Sequence, residues 1–152
     1  FYVIGGWSTV NDDSFCHPVQ VVEYFDASQN EWFSASNMHY GRGDLATGVL
    51  GNMIFAVGGE EKDPSDPSCT VSVPVPNVER YVSPVNNTWV IEESIPSNIF
   101  RFVGATYNTS NSLYSSAIYL FGGQGTFDAT LSKYPLRNST LVYYPQAIYG
   151  HR

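Results

Sequence analysis

Short apolar runs alternate with polar, turn-forming stretches along the whole chain. Three of the runs climb into the same doublet: Phe1-Tyr2-Val3-Ile4-Gly5-Gly6, Ile54-Phe55-Ala56-Val57-Gly58-Gly59 and Ile118-Tyr119-Leu120-Phe121-Gly122-Gly123. β-Branched and aromatic residues fill these runs, as strands prefer. The glycines that follow let the backbone take positive angles and let neighbouring chain come close. No stretch of ten residues carries a 3.6-residue apolar period, so the pattern predicts strands throughout.

Downstream of the first doublet lies Val21-Val22-Glu23-Tyr24-Phe25-Asp26, with Trp32 eight residues after Tyr24. Downstream of the second lies Val78-Glu79-Arg80-Tyr81-Val82, with Trp89 eight residues after Tyr81. Asp26-Ala27-Ser28-Gln29-Asn30 and Ser83-Pro84-Val85-Asn86-Asn87 separate each Tyr from its Trp. Asn and Asp tolerate left-handed angles and bond their own backbone, so each unit reads as a hairpin. Beyond Trp32, Met38 precedes Arg42 by four residues. Leu45 to Leu50 is then a strand and Gly51-Asn52 a turn into the second doublet strand. Beyond Trp89, Ile95-Pro96 leads to Arg101 and a strand from Phe102 to Tyr107. A longer tip, Asn108 to Ser116, returns to the third doublet strand.

The doublets lie 53 and 64 residues apart. A strand-built repeat of about 50 residues predicts a propeller rather than a sandwich. The order of the parts resembles the kelch repeat: an Arg-bearing first strand, a second ending in Gly-Gly, a third with Tyr and a fourth with Trp. The resemblance covers nearly the whole chain and weakens at the end, where Thr140 to Pro145 looks like a third strand with no Trp after it. It implies an all-β fold of four-stranded antiparallel blades. One blade spans about 1–37 and lacks its first strand, a second spans about 38–94, and an incomplete third spans about 95–152. Gly5, Gly6, Gly58, Gly59, Gly122 and Gly123 are expected at the tight corners. Tyr24, Trp32, Tyr81 and Trp89 are expected to fill the space between sheets. Arg42 and Arg101 are expected to be semi-buried, donating to carbonyls or a carboxylate.

A closed ring needs at least about four blades. Just under three, with raw edges at both ends, leave three expectations. The remaining blades come from a longer chain, which the absence of an initiator Met at Phe1 favours, or copies assemble into a ring, or open edges stack into a filament.

Composition narrows the partners. Apolar residues make up 43% and aromatics 15%, enough for a core. The net charge is −7 with seven Lys plus Arg. Nucleic acid would be repelled, and no basic stripe offsets that. No apolar run reaches the length of a membrane span.

The stretches after the doublets are long in all three repeats: Trp7 to Gln20, Glu60 to Asn77 and Gln124 to Asn138. They join equivalent strands, so they emerge on one face, where long loops on a rigid scaffold bind. Trp7, Asp12, Asp13, Asp66 and Asp128 are the candidate binding residues there. The acidic groups read as solvated turns rather than calcium loops, because no ligand spacing matches. Cys16 and Cys69 lie in the first and second loops and form a candidate disulfide, with two free thiols as the alternative. Three glycosylation sequons begin at Asn86, Asn108 and Asn138, the first two at hairpin tips and the third in a long loop. Such accessible sites favour the secretory pathway or an extracellular setting. Free thiols and unused sequons would instead indicate the cytoplasm. Arg42-Gly43-Asp44 spells an integrin-type tripeptide, but Arg42 sits at the start of a core strand, so it reads as coincidence.

No catalytic residue, cofactor site or metal site is expected. His17, His39 and His151 lack metal-ligand spacing, and Gly122-Gly123-Gln124-Gly125 opens a loop, not a helix that could hold phosphate. The expected function is a non-catalytic scaffold that binds protein or glycan through the long-loop face. One alternative is a structural subunit of an extracellular assembly joined edge to edge. Another, by fold analogy, is a segment of a copper oxidase similar to galactose oxidase.

Overall fold

The computed structural model describes residues 1–8, 17–82, 86–96, 98–108 and 116–145. β1 (Tyr2–Ile4) runs into the first doublet, and β2 (Trp7–Ser8) and β3 (His17–Pro18) pair at the root of the first long loop. β4 (Val22–Asp26) and β5 (Glu31–Ser34) form a hairpin. β6 (Ala46–Leu50) turns at Gly51-Asn52 into β7 (Met53–Val57), and β8 (Glu60–Lys62) pairs with β9 (Ser72–Pro74). β10 (Val78–Val82) and β11 (Thr88–Glu92) form the second hairpin. The last elements are β12 (Ile99–Phe100), β13 (Val103–Tyr107), β14 (Ala117–Phe121), β15 (Gln124–Gly125) and β16 (Thr140–Tyr143).

Three antiparallel sheets of three or four strands result, ordered β1-β4-β5, β11-β10-β7-β6 and β13-β14-β16, with β2-β3, β8-β9 and β12-β15 as two-stranded pairs beside them. The fold is all-β, and no ring closes among the described residues. Each doublet takes two positive angles, φ 58° and 115° at Gly58 and Gly59, for instance. These turn the second strand of the sheet out into its long loop. The three long loops therefore leave from one end of the sheets, and the hairpin tips lie at the other.

One backbone bond recurs in all three sheets and fixes which residues are equivalent. Gly5 N donates to Val21 O at 3.0 Å, Gly58 N to Asn77 O at 2.9 Å and Gly122 N to Ser139 O at 3.0 Å. By this register, Val22, Val78 and Thr140 occupy one position, and Phe25, Tyr81 and Tyr143 another. Tyr24 is thus not the counterpart of Tyr81, contrary to the sequence spacing; Phe25 is. The cause is turn length. Asp26 pairs with Glu31 across the four residues 27–30, whereas Val82 pairs with Thr88 across the five residues 83–87. One residue fewer moves the aromatic by one step, and in a strand one step reverses the face. Trp32 and Trp89 remain equivalent, opposite Phe25 and Tyr81 respectively.

The faces explain the packing. Tyr81 and Trp89, with ring centroids 5.3 Å apart, turn toward the first sheet and join Val22, Met38 and Ala56 in one core. Phe55, Val57 and Val78 turn the other way and meet Ile118, Leu120 and Tyr143 of the third sheet. At this second joint β6 and β13 come very close. A Cβ on Gly48 would sit 2.6 Å from Thr106 Cγ2, and one on Gly104 2.6 Å from Ala46 Cβ. Trp32 lies on the first sheet's outward face with Phe1 and Val3 and is 52% exposed, so it does not fill a space between sheets. The third sheet likewise exposes Val103, Phe121 and Val142 on its far side.

Trp89→Ala should cost about 3–5 kcal/mol of stability, the range for deleting a buried large aromatic. Trp32→Ala should cost under about 1 kcal/mol, as at exposed sites. Tyr143 and Tyr81 offer a second comparison. Tyr81 Oη donates to Asn87 Oδ1 at 2.8 Å, while the buried Tyr143 hydroxyl has no partner among the described residues. Tyr81→Phe should lose about 1 kcal/mol, and Tyr143→Phe should be neutral or gain about that much. Urea denaturation of the four variants measures all of these differences.

Candidate binding face

The joint between the first and second sheets is built on Arg42. Its backbone serves the first sheet: Gly6 N donates to Arg42 O at 2.9 Å, and Arg42 N to Val19 O at 3.3 Å. Its side chain serves the second. Nη1 donates to Gly58 O at 3.2 Å and to Asn77 O, and Nη2 to Glu79 Oε1 at 2.7 Å. Arg42 and Glu79 are both fully buried. Burial pulls the Arg42 guanidinium down to about 10, opposed by the Glu79 charge, so it stays protonated at neutral pH. Glu79 also accepts from His39 N at 2.7 Å, His39 Nδ1 at 2.8 Å and Tyr40 N at 3.3 Å. The arginine is therefore wholly buried rather than semi-buried, and it precedes β6 rather than lying on it. A guanidinium in this position cannot be presented to a receptor, so the Arg42-Gly43-Asp44 tripeptide is not displayed as a motif.

Arg101 is not the counterpart of Arg42. Gly43 bridges Glu60, and Phe100 pairs with Gln124, each one residue beyond a doublet. That makes Gly43 equivalent to Phe100, Asp44 to Arg101 and Arg42 to Ile99. The position of Glu79, opposite Ala56, is held in the third sheet by Leu141, opposite Leu120. An ion pair at one joint is thus an apolar pair at the next. Asp44 and Arg101 share left-handed angles, φ 48° and 55°, which supports the equivalence.

Arg101 instead spans the second joint at the long-loop end. It donates from Nη2 to Glu60 Oε1 at 2.9 Å, from Nη1 to Gln124 Oε1 at 3.0 Å and from Nε to Asp44 Oδ2 at 3.4 Å. Its guanidinium lies 5.4 Å from the Phe100 ring centroid and 5.6 Å from that of Tyr134, and Phe127 packs against Tyr134. Tyr134 Oη also accepts from Ser72 N, so the third loop is tied to the second. A cleft of about 440 Å³ opens beside this network, lined by Asp44, Leu45, Arg101 and Phe102. Glu60 is 1% exposed, and its Oε2 has no hydrogen-bond donor among the described residues. Burial pushes the Glu60 carboxyl up, Arg101 lowers it, and the neighbouring Asp44 carboxyl raises it again.

The other candidate residues have structural duties. Trp7 follows the first doublet as Glu60 follows the second; it packs on Gly43, where a Cβ would lie 2.1 Å from Nε1, and Lys62 Nζ sits 5.2 Å from its ring. Asp66 accepts from Ser68 N at 3.0 Å, Thr70 N at 2.7 Å and Val71 N at 2.8 Å, and also from the Ser68 hydroxyl. These bonds hold its carboxyl well below the usual range, the Ser68 hydroxyl contributing most. Asp128 caps Thr130 N at 2.9 Å and Leu131 N at 3.1 Å. Asp12, Asp13 and Cys16 lie outside the described residues, as does His151. Cys69, at φ 55° in the Asp66 loop, is not a free thiol. Asn86 and Asn108 are exposed at the end opposite the long loops, and Asn138 is exposed on the long-loop face. Asn108 Nδ2, the atom a glycan would occupy, donates to Val49 O at 3.3 Å.

Sequence reasoning missed Glu79, Tyr134 and the exposed Leu131 and Leu136, and read Glu60 only as part of an acidic, solvated loop. The repeat held a signal for the first, since Val-Glu recurs at Glu23 and Glu79. Nothing in the sequence marks the others, which matter through contacts between loops.

Glu79→Leu alone should cost about 3–5 kcal/mol, because it strands a buried guanidinium. Adding Arg42→Ile, which copies the third sheet's Ile99 and Leu141, should restore part of that loss in the same denaturation assay. Glu60 has a folded pKa above its ordinary 4.5, so the native state holds the proton longer than the unfolded chain. Stability should therefore fall as pH rises from about 4.5 through the raised value. In Glu60→Gln that portion of the pH profile should be flat.

No family model matches the chain. It is 29% identical over 107 residues to human "Kelch-like protein 15", 28% over 122 residues to that protein from Danio rerio, and 25% over 123 residues to "Kelch-like protein 36" of Mus musculus. These alignments cover 70%, 80% and 81% of the chain but only 16–17% of each relative. The solved structure of YjhT has a like fold, with a TM-score of 0.67 at 11% identity, covering 97% of this chain and 40% of that one. Repeat order, sheet order and these likenesses agree, and the chain is a segment of a kelch-repeat β-propeller.

Proposed function

We propose that the chain is part of a non-catalytic scaffold that docks a protein partner on the long-loop face. The observation that carries this is the third loop. Leu131 and Leu136 are 58% and 81% exposed at that end, while Tyr134 between them is anchored to Arg101, Phe100 and Ser72. Apolar side chains displayed on a pinned loop need little further ordering to form a contact. The kelch-like relatives favour a protein partner over a glycan. The copper-oxidase alternative finds no support in the described histidines, since His39 is spent on Glu79.

The partner fraction captured by the intact protein should drop at least tenfold in Leu131→Ser/Leu136→Ser, at an unchanged melting temperature, if these leucines act as hot-spot contacts. Equal capture would remove this face from consideration. An oxidising compartment is part of the proposal, with Cys16 as the partner of Cys69. Thiol titration of the unfolded protein should then find no free thiol before reduction and two after it.

A further inference from the structure

We propose that the cleft between the second and third sheets receives a lysine or arginine side chain of the docked partner, with its head at Asp44, in front of the buried Glu60. This rests on the long-loop face being the docking surface and adds the chemistry of what enters there. The first ground is an unmet acceptor. Glu60 is nearly sealed from solvent, yet Oε2 has no donor among the described residues while Oε1 is held by Arg101. A buried carboxylate oxygen without a donor is costly and uncommon. A proton shared with the neighbouring Asp44 carboxyl completes it, and a cationic donor can take that proton's place.

The second ground is charge. Asp44 and Glu60 bring two carboxyl groups against the single guanidinium of Arg101, so with both ionised the cluster is one negative charge in excess. The two carboxyls lie close enough for Asp44 to raise Glu60 directly. A cationic donor relieves that repulsion and satisfies Oε2 together. Asp44 is the exposed member of the set, and its contact with Arg101 is long, at 3.4 Å.

The third ground is the wall. Leu45 and Phe102 line the same cleft and offer an apolar bed for the methylene stem of a basic side chain. A divalent metal fits less well. Calcium takes about 6–8 oxygen ligands, and this cluster offers two carboxylates beside a fixed positive charge. Among the described residues no group of three or more His, Cys, Asp or Glu is placed to hold a metal ion.

The test uses the intact chain and terminally blocked pentapeptides, Gly-Gly-Arg-Gly-Gly, Gly-Gly-Lys-Gly-Gly and Gly-Gly-Glu-Gly-Gly. Side-chain carboxyl NMR follows Asp44 and Glu60. The Arg or Lys peptide should move both resonances saturably, and the Glu peptide neither. Asp44→Asn/Glu60→Gln should weaken that binding by roughly tenfold or more, as removing partners of a charged contact does. Glu23→Gln/Glu31→Gln, an equal charge change on the exposed first sheet, should leave it intact. If the double variant fails to fold, Asp44→Asn alone decides, because its side chain is exposed. Absence of a saturable shift, or equal affinity in the Asp44 variants, overturns the proposal. Partner capture that depends on Leu131 and Leu136 but not on Asp44 would leave the docking face standing and remove only the basic side chain.

Discussion

The Arg42 guanidinium and the Glu79 carboxylate are the pair on which the first joint depends. Two charges cannot sit in a dry interior unless each satisfies the other and every remaining donor or acceptor finds a partner. Glu79 meets that condition through Arg42 and through three bonds from the 39–40 segment. Arg42 meets most of it, with carbonyls at Gly58 and Asn77. Because its backbone is bonded to Gly6 and Val19, the same residue fastens two sheets and the chain that crosses between them. The Gly-Gly corner then has a reason beyond turning the strand: its first carbonyl is an arginine acceptor.

Much of the fold was legible in the sequence. The three apolar ramps became β1, β7 and β14, the Tyr-to-Trp units became hairpins, and Thr140 to Pro145 contained the third strand of the last sheet. What misled was equal spacing. Eight residues separate Tyr24 from Trp32 and Tyr81 from Trp89, yet the turns differ by one residue, and register follows the turn. The same happened at Arg101, which stands two residues further from Ile95 than Arg42 does from Met38. A strand's two-residue period makes the one-residue step at Tyr24 decisive for which face its side chain joins. Sequence counts residues; only hydrogen bonds show which residue is opposite which.

The candidate site was less legible, for a different reason. Acidic loop residues drew attention because they stood together in the chain. Asp66 and Asp128 proved to be bonded to their own turns, where a carboxylate stabilises backbone that would otherwise lack acceptors. The groups with unfinished chemistry, Glu60 above all, are brought together by the approach of two sheets. Asp44, Glu60 and Arg101 come from three separated stretches and meet only because consecutive modules repeat the same corner.

The exchange of Arg42 and Glu79 for Ile99 and Leu141 at the next joint has a consequence for how such a molecule assembles. Each interface is written in its own chemistry, so the modules are not interchangeable parts. Putting the third sheet in the place of the second would confront a lone cation with leucine, and the reverse would drop an acid among aliphatic side chains. Neighbours are thereby sorted during folding, and repeated units of nearly the same shape are kept in sequence.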